Sequence, residues 1–368
     1  MTDENTTNEI SNNTDEQPIT KKIGYFLIGF AILVVLAVLS VYISQNKIAN
    51  VEIGKGWGFE YVVIAILIGL ILRSIVDLSR PLSNAFEKIK PAFKTELLVK
   101  IGLVLLGAEI SIGTLLAYGV RGLTQALIVV LAVYYVSLWV ARKLEIDLKF
   151  AHMLSTAVSI CGVSAAIATF GAIKGEKKHL NMTLLLVAVF VIPMFLGMPL
   201  LAKAIGMNQA WAGAWFGGTI DTTAAVVGAG SFYGDGAMKA ASVVKMSQNV
   251  LIGFVAFLLA FYFTTVVEKS GEKVSTRQIW DRFPKFIIGF AAVTIITSLG
   301  LLSTGAIDTT KLIRSWIFAF AFVSIGAETS IREFSKIGKA PFITFTIAQA
   351  FNIVWTLIIS YILFSALG

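Results

Sequence analysis

Uninterrupted apolar runs of about twenty residues recur from residue 23 to residue 366. A helix of that length spans the hydrocarbon core of a bilayer, and helices satisfy their backbone polar groups internally. The chain of 368 residues is 57% hydrophobic and only 14% charged. Connections between the runs are too short to bury a core of their own. The sequence therefore predicts an all-α polytopic membrane protein, embedded in the lipid bilayer and without a soluble domain.

Eleven membrane segments are predicted, at residues 23–44, 58–76, 97–118, 123–141, 151–173, 180–203, 210–231, 237–267, 283–303, 312–332 and 341–366. Residues 1–22 are acidic and polar, so they are predicted to form a disordered tail and not a signal peptide. Lys and Arg are concentrated in the tail and the even-numbered loops. This bias predicts a multi-pass protein of the cytoplasmic membrane with a cytoplasmic N-terminus and an external C-terminus. Lys174, Lys177 and Lys178 form an exception, because this topology places their loop outside.

Composition also excludes several function classes. The net charge of +8 reflects basic residues that flank membrane helices, so no nucleic-acid partner is expected. Cys161 is the lone cysteine, and His152 and His179 are the two histidines, too few for a metal centre. No Walker-type or GxSxG motif is present, so the chain is not expected to be an enzyme or to carry a cofactor.

Residues 155–169 (STAVSICGVSAAIAT) are apolar enough for a membrane but rich in small and hydroxyl side chains. Ser159, Cys161, Gly162 and Ser164 place a flexible backbone point among small polar groups. Such composition is expected where a helix breaks and exposes peptide dipoles to a substrate. The alternative is a tight contact between helices, which the same small residues also permit.

Three acidic residues fall inside predicted membrane segments, where an ionisable side chain costs roughly 2.5–3.5 kcal/mol and indicates function. They are Asp221, Glu328 and Glu109. With their hydroxyl neighbours Thr222, Thr223, Thr329 and Ser330 they form the predicted ion-coupling set. Carboxylates and hydroxyls suit Na⁺, and a buried carboxylate can instead carry a proton. Alternatively, each acid pairs internally with a base such as Lys245 or Arg332.

Lys245 begins a polar patch with Gln248 and Asn249 inside a long apolar segment. If its ammonium faces a cavity, these side chains and Thr219 would bind an anion; otherwise Lys245 snorkels to the interface. Gln349 and Asn352 share one helix face and are interpreted as contacts that join helices.

Two internal similarities compete. Residues 158–162 (VSICG) resemble residues 323–326 (VSIG) five segments later, which predicts inverted five-helix repeats at 57–206 and 210–366 with the first helix outside both. Residues 107–112 (GAEISI) instead match residues 326–331 (GAETSI) seven segments later. The first pairing is preferred because it divides the rest of the chain into two equal units.

Five stretches of the sequence appear in the same order as in the YeiH-type sulfate exporter family, which the chain resembles. They are residues 98–113, 159–166 (SICGVSAA), 217–230 (GGTIDTTAAVVGAG), the patch at Lys245 and residues 321–331. That family resembles the bile-acid/sodium symporters and sodium/proton antiporters. The resemblance implies two inverted repeats whose discontinuous helices cross near Cys161-Gly162 and Gly326. Where the family commonly has a histidine and an acid, this chain has Asp221-Thr222, and Gln248 stands where a base is frequent.

These observations together predict a secondary active transporter that moves a small anion, sulfate or sulfonate-like, by alternating access. Na⁺ or H⁺ would be coupled through Asp221 and Glu328. A Na⁺/H⁺-type cation antiporter and an anion channel remain alternatives, and an intramembrane enzyme would have only Cys161 with His152 to use. A homodimer is a candidate assembly.

Overall fold

The computed structural model describes residues 19–45, 61–268, 276–330 and 337–366. These residues form helices and short connections, and no β-strand occurs among them. Seven of the described helices are long and apolar enough to cross a bilayer, and shorter apolar helices lie at Val62–Val76 and Phe286–Ser298. The predicted all-α polytopic class is confirmed, whereas the count of eleven segments is not.

The helices are α1 (Ile19–Gln45), α2 (Tyr61–Val76), α3 (Arg80–Ile89), α4 (Thr95–Leu106), α5 (Ile112–Lys143), α6 (Leu148–Thr156), α7 (Gly162–Ala172), α8 (Lys177–Ile205), α9 (Gln209–Thr219), α10 (Thr223–Tyr233), α11 (Asp235–Tyr262), α12 (Arg277–Arg282), α13 (Phe286–Ser298), α14 (Thr304–Glu328) and α15 (Lys339–Tyr361). Short 3₁₀ turns lie at Lys90–Ala92 and Gly107–Glu109. Helices of π type lie at Ala157–Cys161, Phe263–Val267 and Ile362–Ala366.

Two predicted boundaries are wrong because polar residues and glycines inside helices were interpreted as loops. Helix α5 is continuous through the expected loop at residues 119–122 and begins after Ser111, whose hydroxyl accepts a hydrogen bond from the Thr114 amide. Gly122 lies where α5 contacts α11: a Cβ there would sit 3.1 Å from the Cα of Val244. Helix α14 likewise begins after the N-cap Ser303, so the expected loop at residues 304–311 is helical.

The N-terminal prediction is partly tested. Helix α1 begins at Ile19, so residues 19–22 are helical instead of belonging to a disordered tail. Residues 1–18 and Arg332 lie outside the described residues.

The helices form two groups. The crossing group contains α5 to α11 and α15; α11 packs against α5, α7, α9 and α10, and α15 packs against α5 and α9. The panel group contains α1 to α4, α13 and α14; α14 packs against α1, α2 and α4, and α13 packs against α4. The groups contact each other mainly through α10, which touches α2, α4 and α14. At this contact, Gly228 of α10 lies beside the rings of Phe195 and Phe322.

The two copies of the GAE motif occupy similar places in the panel group. Gly107 follows α4 and lies against the backbone of Phe290 in α13, while Gly326 lies in α14 against the backbone of Ile66 in α2. Helices α4 and α14 are antiparallel, because Glu109 after the end of α4 pairs with Arg314 in the first half of α14. Both pairings of the motifs, and the inverted repeat itself, stay predictions.

Helix α14 corrects the expected position of the second break. It continues through Gly326 to Glu328 because Gly326 serves as a contact point between helices. A Cβ at this position would lie 2.2 Å from the Ile66 carbonyl oxygen and 2.6 Å from the Leu70 amide nitrogen. Gly69 on α2 faces the same contact, so both backbones meet where neither residue has a side chain.

We predict that Gly326→Ala destabilises the protein by roughly 1–3 kcal/mol, because backbone atoms of α2 would have to move. The measurement is the thermal unfolding temperature in detergent. Gly305→Ala is the matched control, because Gly305 lies on the same helix with nothing within 4 Å of its added Cβ. Equal unfolding temperatures for the two variants would contradict the close packing of α2 and α14.

Candidate functional site

Two helical hairpins meet at their tips in the middle of the crossing group, and this meeting point is hereafter called the crossing. In the first, α6 folds back through the π-helical residues 157–161 into α7, so the Thr169 hydroxyl donates to that of Thr156 at 2.9 Å. In the second, α9 folds back at residues 220–222 into α10, so the hydroxyl of Tyr233 at the end of α10 donates to the Met207 carbonyl just before α9. The Lys245 ammonium contacts both interruptions, since its Nζ lies 2.6 Å from the Ile160 carbonyl oxygen and 2.9 Å from that of Ile220.

The first interruption lies where the hydroxyl-rich sequence predicts it. Ser155 and Ser159 each donate to the carbonyl four residues earlier, at 2.8 and 2.7 Å. Such bonds compete with the backbone ladder, and a π turn frequently marks a functional site. Gly162 then starts α7 in close contact with its surroundings, because a Cβ there would lie 2.6 Å from Val187 and 3.2 Å from the Asp221 carbonyl oxygen. The predicted break and the alternative tight contact therefore coincide at Gly162.

The second interruption is at Asp221, not at Gly326. Ile220 has an extended backbone, and Thr222 caps α10 by accepting a 3.3 Å hydrogen bond from the Ala225 amide. Gly218 on α9 packs where a Cβ would lie 2.3 Å from the Gln125 side-chain nitrogen. The pattern Thr-Ile-Asp-Thr-Thr thus contained a capping signal, Thr222, directly after a β-branched residue and an acid.

Side-chain amides satisfy the other carbonyl groups at the ends of α9 and of the π turn. The donors are Gln248 on α11 and Gln349 and Asn352 on α15. Their nitrogens lie 2.9–3.3 Å from the carbonyl oxygens of Val158, Ser159, Gly218 and Thr219. The prediction that Gln349 and Asn352 join helices is confirmed, and their acceptors are carbonyls at the two interruptions. The i, i+3 spacing of Gln349 and Asn352, which repeats that of Lys245 and Gln248, was the available signal.

Asp221 and Lys245 are each 1% exposed, and the two side chains form no ion pair within 4 Å among the described residues. The Asp221 Oδ2 atom has no hydrogen-bond partner among the described residues, and the same is true of Thr219 Oγ1 and Asn249 Oδ1. Asp221 does not line the large cavity described below. The crossing thus contains one buried acid and one buried base, with acceptor oxygens to spare.

A cavity of about 1550 Å³ ends at the crossing. The predicted substrate residues Cys161, Ser164 and Asn249 lie at its inner end with Thr222 and Thr223. This inner end, hereafter the cavity floor, therefore lies at the N-termini of both α7 and α10. Asn249 donates a 3.1 Å hydrogen bond to the Thr223 hydroxyl, and the Cys161 sulfur lies 3.6 Å from the same oxygen.

The predicted residues at the second GAE motif divide between two places. Glu328 and Thr329 line the cavity across from the floor, and the Glu328 side chain is exposed to it. Ser330 lies elsewhere, because its hydroxyl donates to Asp77 on the loop after α2 at 2.5 Å. The structure therefore does not gather Asp221, Glu328 and Ser330 into one cluster.

Glu109 lies in the 3₁₀ turn after the end of α4, does not line the cavity, and pairs with Arg314 at 2.6 Å between Oε1 and Nε. Both side chains are almost completely buried, and Arg314 also contacts the Met238 sulfur on α11 at 3.3 Å. Lys311 lies one turn earlier on α14 and approaches Asp235 on α11 at 3.9 Å. Among the described residues the partner of Glu109 is thus Arg314 and not Lys245. The contacts of Arg314 and Lys311 with α11 join the panel group to the crossing group.

These features define a polytopic membrane protein in which two helical hairpins meet at the end of a large cavity. Comparison with known proteins places the chain more narrowly. The family model described as conserved hypothetical protein 698 matches residues 28–345. The chain belongs to this family, which confirms the YeiH-type resemblance of its motifs.

Its relatives are UPF0324 membrane proteins. The chain is 37% identical to one from Rhodopirellula baltica, over 94% of this chain and 64% of that protein. It is 38% identical to one from Nitratidesulfovibrio vulgaris, over 92% of this chain and 59% of that protein. The chain therefore spans less than two thirds of the length of these two relatives. The membrane protein TauZ of Paracoccus pantotrophus is 27% identical, over 84% of this chain and 87% of TauZ. No solved structure matches the chain.

We predict that Asn352→Leu lowers stability by roughly 1–3 kcal/mol, because the buried Val158 carbonyl loses its side-chain donor. The measurement is the thermal unfolding temperature of the purified protein. Thr346→Ala on the same helix is the control, because its exposed hydroxyl bonds only within α15, to Phe342. A loss no larger than that of the control would show that the amide does not stabilise the crossing.

Proposed function

We propose that this protein is a secondary active transporter that moves a small anion across the cytoplasmic membrane by alternating access. The observation that carries this proposal is the cavity that ends at the N-termini of two half-helices, α7 and α10. Sulfate or a sulfonate-like anion is the proposed substrate class, following the family resemblance. No enzymatic step and no cofactor enter this proposal.

The electrostatics of the cavity floor support an anion. Each helix N-terminus carries about half a positive charge and unsatisfied N–H groups that suit an anionic ligand. The opposite, negative ends belong to the preceding segments, and donors from α11 and α15 already occupy their carbonyls. The floor adds the Ser164, Thr222 and Thr223 hydroxyls as further donors.

The arrangement of the two helix groups supports alternating access. The cavity lies between them, since α7, α8, α10 and α11 line one side and α4, α13 and α14 line the other. At its mouth lie Lys90 and Lys94, in the basic segment that charge bias predicts to be cytoplasmic. Away from the mouth, Arg314 and Lys311 hold the groups together through Met238 and Asp235. The proposed cycle breaks these contacts as the cavity closes.

Ion coupling is assigned to the two acids that remain candidates. Asp221 is buried at the crossing behind the floor, and Glu328 faces the cavity from the panel group. Movement of one group against the other would change the surroundings of both carboxyl groups. Na⁺ or H⁺ binding to either acid would then favour one of the two conformations.

A Na⁺/H⁺-type cation antiporter is the second candidate function. The buried Asp221 Oδ2, which has no hydrogen-bond partner among the described residues, is the observation that favours it. In that case the cavity would conduct hydrated cations to Asp221. The two candidates differ in whether a current requires an added anion.

We predict that Asp221→Asn, which keeps the side-chain volume but removes the charge, lowers anion-driven current by roughly tenfold or more. Purified protein in liposomes is measured by solid-supported-membrane electrophysiology with sulfate, methanesulfonate and small carboxylates. Asp308→Asn is the control, because Asp308 is an exposed acid on α14.

Normal current and ion dependence in Asp221→Asn would contradict its role. A wild-type response to Na⁺ or H⁺ gradients alone, with silence for every anion, would instead establish the cation antiporter.

Cys161, the sole cysteine of the chain, reports on the cavity directly because it lines the floor. We predict that a small membrane-impermeant thiol reagent modifies it from the mouth side and that a transported anion slows this reaction. Intact-protein mass spectrometry measures the modified fraction in oriented vesicles, and Cys161→Ser is the blank. Modification that no transported anion slows would place the anion elsewhere.

A further inference from the structure

The Lys245 ammonium is surrounded by oxygen atoms in the way that a bound metal cation would be. Its three ammonium hydrogens face three oxygens, which belong to Ile160, Ile220 and Gln248 at 2.6, 2.9 and 2.8 Å. Lys245 is 1% exposed, so water does not complete this coordination. Burying an ammonium is costly unless its hydrogens find acceptors, which these three oxygens provide.

The two carbonyl oxygens have a particular place in the fold. Ile160 lies at the end of the π turn before α7, and Ile220 lies immediately after α9. Both oxygens therefore mark the negative ends of the interrupted segments. In transporters built from broken helices, such unwound carbonyls and helix C-termini coordinate the coupling Na⁺. In this protein, the Lys245 side chain on α11 contacts two such carbonyl oxygens.

We propose that Lys245 is a tethered cation that takes the place of a coupling Na⁺ between the two interruptions. A fixed ammonium supplies the positive charge that joins the two negative helix ends, and a Na⁺ ion has no free position among these oxygens. These three oxygens therefore need no Na⁺, and we expect any ion coupling through Asp221 to use protons. This inference deepens the proposed function by naming the coupling ion, but its tests do not require transport.

The first experiment uses the wild-type protein in detergent at constant pH and ionic strength. Thermal unfolding is compared in choline, K⁺ and Na⁺ chloride, and bound ²²Na⁺ is measured by equilibrium dialysis. We expect equal unfolding temperatures in the three salts and no saturable ²²Na⁺ binding. A Na⁺-specific rise in unfolding temperature, or saturable ²²Na⁺ binding, would overturn the proposal.

The second experiment removes the tethered cation. In Lys245→Ala, the oxygens of Ile160, Ile220 and Gln248 would surround a vacated space. We expect this variant to unfold several degrees below wild type in choline and to recover part of that loss in Na⁺ or n-propylammonium, which replaces the deleted atoms. Lys245→Met fills the space without a charge, so we expect the loss without the recovery.

Lys178→Ala is the control, because Lys178 is exposed at the start of α8 and its removal should change nothing. A Lys245→Ala protein that is as stable as this control, or that unfolds at the same temperature in choline, Na⁺ and n-propylammonium, would also overturn the proposal. If Lys245→Ala yields no folded protein, the wild-type measurements decide alone. Absence of anion current with Na⁺-independent stability would contradict the proposed function and leave Lys245 as a tethered cation.

Discussion

Every backbone carbonyl that a helix break exposes inside a membrane requires a donor, because hydrocarbon offers none and each unsatisfied group costs several kcal/mol. The crossing in this protein meets that requirement with side chains. Lys245 and Gln248 approach from α11, and Gln349 and Asn352 approach from α15. With the carbonyl ends satisfied, the N–H ends of α7 and α10 remain directed at the cavity. The polarity of the cavity floor thus depends on these four polar residues, two on α11 and two on α15.

The panel group depends on a different constraint, which is the close approach of backbones. Gly69 and Gly326 bring α2 and α14 together where a side chain would not fit, and Gly107 does the same against α13. Because lipid is as apolar as the helices, packing of this kind replaces the hydrophobic driving force available in water. By contrast, the two groups meet through few helices, chiefly α10. The strongest packing is therefore inside each group.

The sequence allowed the helical class, the family and the first interruption to be predicted, because each depends on local composition. Apolar run length identifies the membrane helices, and the small hydroxyl residues from Ser155 to Ser164 mark the break near Gly162. The second interruption was misplaced at Gly326, because a glycine at a helix contact and a glycine at a break look alike in one sequence. The sequence predicted that Gln349 and Asn352 join helices, but it did not identify their acceptors, because these lie about 130 to 190 residues away in the chain. Glu109 was correctly singled out as a buried acid, but its partner Arg314 became apparent only from the antiparallel packing of α4 and α14.

Helix α15 belongs to the crossing group but follows α12, α13 and α14 in the sequence. Of these three, α13 and α14 belong to the panel group. The side-chain amides of α15 nevertheless bond to the carbonyls of Val158 and Thr219. During synthesis, both interruptions are made long before α15, the last described helix, leaves the ribosome. Until it arrives, those carbonyls lack the donors that α15 supplies in the folded protein. The order of synthesis consequently makes the hydrogen bonding of the crossing one of the last steps of assembly, completed only when the last described helix docks.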